Sequence, residues 1–113
     1  MHFEGPGRRV TIYIGESDRW EHRTLYEAIV ELLRKEGCAG ATVVKGIEGF
    51  GAASRLHTAN ILRLSEDLPV VVTFVDSPEQ VDAVLPKIDA MITGGLMTVE
   101  DVHVYRYSDG KGV

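Results

Sequence analysis

Hydrophobic positions recur along this chain in two rhythms, one of period two and one of period 3.6. Residues 9–14 place Val10, Ile12 and Ile14 on one face and Thr11 and Tyr13 on the other, the alternation of a strand made of β-branched and aromatic side chains. Residues 15–22 are polar and read as a loop. Leu25, Ala28, Ile29, Leu32 and Leu33 then follow helical spacing and form one apolar stripe. Thr24 and Glu27 stand at capping-box spacing, Glu31 and Lys35 are placed to pair across one turn, and Gly37 sits where a helix ends in a left-handed residue. A second strand is predicted over residues 41–45. Residues 69–75 are apolar on both faces, as a central strand requires. Ser77, Pro78 and Gln80 supply the N-cap, first and third positions of a second helix. Its stripe is Val81, Val84, Leu85, Ile88, Met91 and Ile92; Pro86 should kink it and Gly94-Gly95 should end it. A last strand is predicted over residues 99–107, with Val102 and Val104 on one face and His103, Tyr105 and Tyr107 on the other.

The order βαββαβ predicts an α+β, ferredoxin-like domain over residues 1–113, with an antiparallel or mixed four-stranded sheet and two helices on one face. The first and third strands should be central and parallel. The uncovered sheet face would carry Thr11, Tyr13, one side of the run at 70–75, and Tyr105. Large exposed apolar patches mark interfaces, so this face is either buried in a homo-oligomer or left as a mildly apolar surface.

Length and composition narrow the classes. The 113 residues match one domain of roughly 100–150 residues. Hydrophobic residues at 44% and charged residues at 26% exclude an intrinsically disordered chain. No apolar run approaches the ~20 residues that span a bilayer. The first residues lack the basic and apolar blocks of a leader, so a cytoplasmic protein is expected. The net charge of −5 is uneven: residues 1–56 hold eight basic and eight acidic side chains, residues 57–113 four and nine. Without a basic stripe, no nucleic-acid partner is expected. Cys38 is the only cysteine, which excludes an internal disulfide and reads as a small buried hydrophobe.

The residues capable of chemistry are mostly scattered. His2, His22, His57 and His103 show no ligand spacing, and the serines lie in no nucleophile elbow. Asp18/Glu21 and Glu66/Asp67 read as caps and solvated charges. Nothing here specifies an enzyme. The segment holding Gly46, Gly49 and Gly51 differs, because successive N–H groups without an intervening Cβ can form an anion-binding nest. Lys45 precedes it, and Ser54, Arg55, His57 and Thr58 follow, all able to donate to phosphate oxygens. No Gly-Lys-Ser/Thr is present, so this is not a P-loop. The segment is either such a nest within a long, partly mobile loop or a flexible hairpin tip; long loops in small domains are usually functional or disordered.

The run from Gly40 to Gly51, followed by Leu56-His57-Thr58, resembles the domain-of-unknown-function family 190. Ile14-Gly15-Glu16, Leu25-Tyr26, Leu68-Pro69-Val70 and Val75-Asp76 support the resemblance, which spans nearly the whole chain. That family looks PII-like. The resemblance implies a homotrimer that binds a small anionic metabolite or an adenine nucleotide between subunits. It also implies a loop after the second strand that docks onto a partner such as a membrane transporter or channel. The ligand-binding residues so implied are Lys45, Gly46, Gly49, Gly51, Arg55, His57 and Thr58. Gly94 and Gly95 would add the turn after the second helix, and Arg106 would reach in from a neighbouring subunit. No lysine stands between Thr93 and Arg106, which implies AMP or ADP rather than ATP, and residues 46–68 hold no tyrosine for uridylylation. Two rival readings differ in class. A small ferredoxin-like isomerase or monooxygenase would need an inward acid, base or cation, where the first strand offers Val10, Ile12 and Ile14 and the third only Thr73. A metal-responsive trimer similar to the copper-tolerance protein would need clustered histidines.

Overall fold

The computed structural model describes residues 2–51 and 67–107. The chain runs through β1 (His2–Gly15), a small ribbon of β2 (Arg19–Trp20) and β3 (Arg23–Thr24), α1 (Leu25–Lys35), β4 (Thr42–Lys45), β5 (Pro69–Asp76), α2 (Pro78–Asp89) and β6 (Leu96–Tyr107). Four strands form one sheet in the order β4-β5-β1-β6, with every neighbouring pair antiparallel. The fold is α+β and ferredoxin-like, as expected, and β1 and β5 are central. They are not parallel, however. The α1 crossover leaves a one-strand gap between β1 and β4, and β5 returns through that gap in the opposite direction.

The β1–β5 register sets the core. Val10, Ile12 and Ile14 stand opposite Phe74, Val72 and Val70, so the period of two turns all six toward the helices. Leu25, Ala28, Ile29 and Leu33 of α1 and Val81, Val84 and Ile88 of α2 close over them. Among the described residues no polar or charged side chain is buried with them. Thr73 lies on the opposite face, so the inward position expected for it is taken by Val72 and Phe74.

The helix ends show which local signals operate. α1 closes in a Schellman motif: Gly37, at φ 84°, donates to the Arg34 carbonyl, and Cys38 donates to that of Leu33. Ser77 Oγ accepts from the Gln80 amide, capping α2. Gln80 Nε2 then donates to the Glu36 carbonyl at 2.6 Å, tying the start of α2 to the end of α1. At α1 the expected capping box is altered, because the Thr24 hydroxyl donates to the Glu27 carboxylate instead of accepting from a backbone amide. Glu31 pairs with Arg34, three residues on, where Lys35 was expected. α2 passes through Pro86 and ends at Asp89, before Gly94-Gly95; those glycines form the turn into β6.

Two strands are longer than their alternation indicates. β1 begins at His2 and β6 at Leu96, and their pairing runs from His2↔Tyr107 to Tyr13↔Leu96. Gly5-Pro6-Gly7 is a turn-like sequence held extended only by this partner. The last β1–β5 pair is Arg8↔Asp76, so residues 2–7 and 102–107 project as a two-stranded ribbon, about 20 Å long at the usual strand rise. The register also corrects the composition of the open face. Tyr105 stands opposite Glu4, in phase with Arg8 and Val10, and so belongs to the helix side. Val102 and Val104 take its place beside Thr11, Tyr13, Val44, Val71 and Leu96.

Gly95 marks a close approach of one backbone to another. Its φ is 130°, and a Cβ there would lie 2.5 Å from the Tyr13 carbonyl oxygen. Gly95→Ala should therefore cost more than about 1 kcal/mol. Ile12→Ala, at a position with no exposed surface, should cost about 2–5 kcal/mol. Urea unfolding measures both, and an unchanged midpoint for Gly95→Ala would contradict this packing of the turn on β1.

Candidate functional site

One end of the sheet collects the end of β1, the segment after β4, the start of β5 and the turn before β6. A cleft of about 130 Å³ opens there. Tyr13, Phe50 and Pro69 contribute its apolar surface, Gly15, Gly51, Gly94 and Gly95 its backbone, and Asp18 and Asp67 its charge. The Gly15↔Pro69 pair brings the two aspartates together. A Cβ on Gly15 would lie 2.7 Å from Asp67 Oδ1 and 3.2 Å from Asp18 Oδ1. Each carboxylate is oriented by one hydrogen bond: Asp18 Oδ2 accepts from the Gly15 amide and Asp67 Oδ1 from Ser17 Oγ, both at 2.9 Å. Among the described lining residues there is no cation.

The model of the DUF190 family, described as an uncharacterized ACR, matches residues 7–104. The chain belongs to this family. It is 42% identical over 96 residues to the UPF0166 protein MJ1524 of Methanocaldococcus jannaschii, an alignment covering 84% of this chain and 88% of that one. Among solved structures, a putative PII-like signaling protein of Thermus thermophilus matches with a TM-score of 0.60 at 18% identity, over 89% of this chain and 90% of that one. CPII of Thiomonas intermedia K12, in a structure with ADP and bicarbonate, matches with a TM-score of 0.57 at 19% identity, over 90% and 91%. The fold of this DUF190 chain is thus PII-like.

The expected ligand residues fall into five groups. Gly51, Gly94 and Gly95 meet at the cleft. Gly46 and Gly49 lie against the Pro69 ring, and the Gly46 amide donates to the Pro69 carbonyl at 2.7 Å, extending the β4–β5 ladder. Lys45 Nζ stands 2.7 Å from Glu16 Oε2. Arg106 is opposite Phe3 on the ribbon, eleven residues from Gly95 and so about 35 Å along the strand. There it lines a separate cleft of about 270 Å³ with Asp76, Ser77 and Val104. Arg55, His57 and Thr58, with most of the expected mobile loop, lie outside the described residues.

Tyr13, Asp18, Phe50, Asp67 and Pro69 are not among the expected ligand residues; in the sequence Asp18 and Asp67 read as caps and solvated charges. Only Phe50 left a signal: an aromatic between Gly49 and Gly51, in the structure 81% exposed. Asp18 and Asp67 have ordinary loop contexts, and only strand pairing brings them together.

Other reactive groups sit apart from this cleft. His103 Nε2 lies 2.8 Å from Glu4 Oε2 on the ribbon, and the described residues hold no group of three or more metal-ligating side chains. Cys38 packs between the end of α1 and the start of α2, where burial is the main force pushing its thiol above the ordinary value; Gln80 Nε2 approaches its sulfur at 3.6 Å. A raised thiol holds less reactive thiolate at any pH below its titration. Cys38 should react with an aromatic disulfide reagent at pH 8 more slowly than glutathione, reaching the free-thiol rate only in denaturant. A native rate above that of glutathione would mark an activated cysteine.

Proposed function

We propose that this chain is a PII-like regulatory protein. It forms a homotrimer, takes a small adenine nucleotide, AMP or ADP, in clefts between subunits, and signals through the segment after β4 to a partner such as a membrane transporter or channel. The observation that carries this reading is the meeting of Gly51, from the segment after β4, with Gly94-Gly95, from the turn after α2, at one cleft of a PII-like fold. The presence of ADP in the CPII structure supports an adenine nucleotide.

Two features support assembly. The open sheet face carries Tyr13, Val44 and Leu96 at 44%, 56% and 59% exposure, an apolar surface that a second copy would cover. Arg106 lies too far along its own strand to serve the cleft at Gly95, and in this reading it serves a neighbour's. Lys45, freed from Glu16, is the proposed phosphate partner within the subunit, with Gly46 and Gly49 allowing close backbone approach. The rival enzyme reading, an isomerase or monooxygenase, finds no support beneath the helices. The inward positions of β1 and β5 are Val10, Ile12, Ile14, Val70, Val72 and Phe74, none of which can transfer a proton.

Light scattering after size exclusion should give three times 12.4 kDa, and a monomer at micromolar concentration would overturn the assembly. Calorimetric titration should find AMP or ADP bound more tightly than ATP, since no lysine between Thr93 and Arg106 meets a terminal phosphate. Lys45→Ala should weaken AMP by about tenfold or more, the value of one charge-assisted hydrogen bond. No nucleotide should turn over near the ~1 s⁻¹ of a slow enzyme.

A further inference from the structure

The ribbon of residues 2–7 and 102–107 has two unlike faces. One carries Glu4, His103, Tyr105 and Tyr107, with His103 Nε2 2.8 Å from Glu4 Oε2. The other continues the open face of the sheet and carries Phe3, Val102, Val104 and Arg106. Gly5 and Gly7 stand opposite Val104 and Val102 on this second face. A Cβ on Gly7 would lie 2.5 Å from Val104 Cγ2, and one on Gly5 2.8 Å from Phe3 Cζ. Val104 and Phe3 therefore fold down over the two glycines and give the ribbon a thin apolar strip. Arg106 has no ion-pair partner among the described residues. The carboxylate that shares its cleft, Asp76, is held by the Ala39 and Ser77 amides.

At its other end the open face finishes in one apolar row. Val44, Val71, Tyr13 and Leu96 stand side by side across all four strands, next to the Gly94-Gly95 turn. The adjacent row is Thr42, Thr73, Thr11 and Thr98, and the next holds the Arg9–Glu100 pair. The apolar surface at this end is thus one row deep and borders the cleft. Strip and row lie at opposite ends of the same strands, so one chain cannot bring them together, whereas a second copy can. Neither contains a charge, so their contact buries none unpaired. The contact is head-to-tail, and repeated about an axis running across the strands it closes a ring. With Val104 against Leu96, Arg106 lies two residues, about 7 Å, farther toward the neighbour's Gly94-Gly95 turn. Asp18 and Asp67 line the corner it reaches, so the arriving cation meets opposite charge.

We propose that the ribbon is a docking arm for the next copy of this chain: Phe3, Val102 and Val104 sit against that copy's apolar row, and the arm so placed delivers Arg106 to its strand-end cleft. This rests on the trimer reading above and specifies which surfaces join and what each copy lends its neighbour.

Cross-linking reads the geometry directly. With Cys38→Ser removing the native thiol, Leu96→Cys and Val104→Cys combined in one chain should give covalent trimers with a short bis-maleimide, because every joint of the ring then carries one thiol of each kind. Either cysteine alone should leave monomers on a denaturing gel; linked dimers from Leu96→Cys alone would mean that like faces meet, and would overturn the arm. Val104→Asp and Leu96→Asp, both outside the core, should each lower the native mass toward 12.4 kDa with circular dichroism unchanged. Tyr105→Asp, on the ribbon's other face, should keep the trimer, and its dissociation would count against the strip. Arg106→Ala should also keep the trimer but weaken AMP by about tenfold, the value of one charge-assisted hydrogen bond; unchanged AMP affinity would refute the delivery of Arg106. If the unmodified chain is a monomer, the trimer reading and the arm fail together. If it is a trimer that neither links through the two cysteines nor dissociates with Val104→Asp, the arm is wrong while the assembly stands.

Discussion

The antiparallel pairing of β1 with β5 is the constraint on which everything else rests. Side chains alternate with period two, so a one-residue slip would turn Val10, Ile12, Ile14, Val70, Val72 and Phe74 away from the helices and expose the whole sheet half of the core. The same register stops β1 at Gly15 opposite Pro69. There it sets the loop carrying Asp18 against Asp67, two residues before β5. Core and cleft are thus two ends of one ladder.

Charge contributes little to the fold and much to the character of its surface. The core is wholly apolar among the described residues, and the ion pairs lie outside it. Arg8 bridges Asp82 of α2 and Asp101 of β6, and Arg9 makes two 3.0 Å bonds to Glu100 on the open face. Exposed pairs of this kind are worth about 1 kcal/mol or less. The Arg9 guanidinium holds the Glu100 carboxyl below its usual range, so the pair persists into mildly acidic solution. Lys45 and Glu16 pair at 2.7 Å with Glu16 the more buried of the two, next to Gly15 at the cleft.

The two helices are fastened to each other by backbone chemistry at one place. The Schellman turn at Gly37 aims the chain toward β4, and Gln80 of α2 caps the Glu36 carbonyl that α1 leaves open. This junction lies far from the strand-end cleft in the topology. The cleft is instead built from turns with few side-chain contacts of their own: Gly51, Gly94-Gly95, and the approach to Pro69. Stability is therefore concentrated in the core and helix junction, away from the turns that line the cleft.

Local signals in the sequence determined the helices, their caps at Ser77 and Gly37, the strand alternation at residues 9–14, and the glycines that reach the cleft. Each is decided within a few residues of chain. The resemblance on Gly40–Gly51 and Leu56-His57-Thr58 also pointed to the family that the match over residues 7–104 shows. Tertiary structure alone decided what depends on a distant partner. Residues 2–7 and 96–98 are extended because the first segment pairs with the end of β6 and the second with residues 11–13 of β1. The central strands are antiparallel because β5 fills the gap left by a crossover, and Tyr105 faces the helix side because its register is counted from Tyr13↔Leu96. Asp18 and Asp67 were ordinary loop carboxylates until Gly15↔Pro69 brought them to one corner. Pairing across a sheet is non-local: each strand's sequence specifies a face, but only the partner specifies the register, and with it which distant side chains meet.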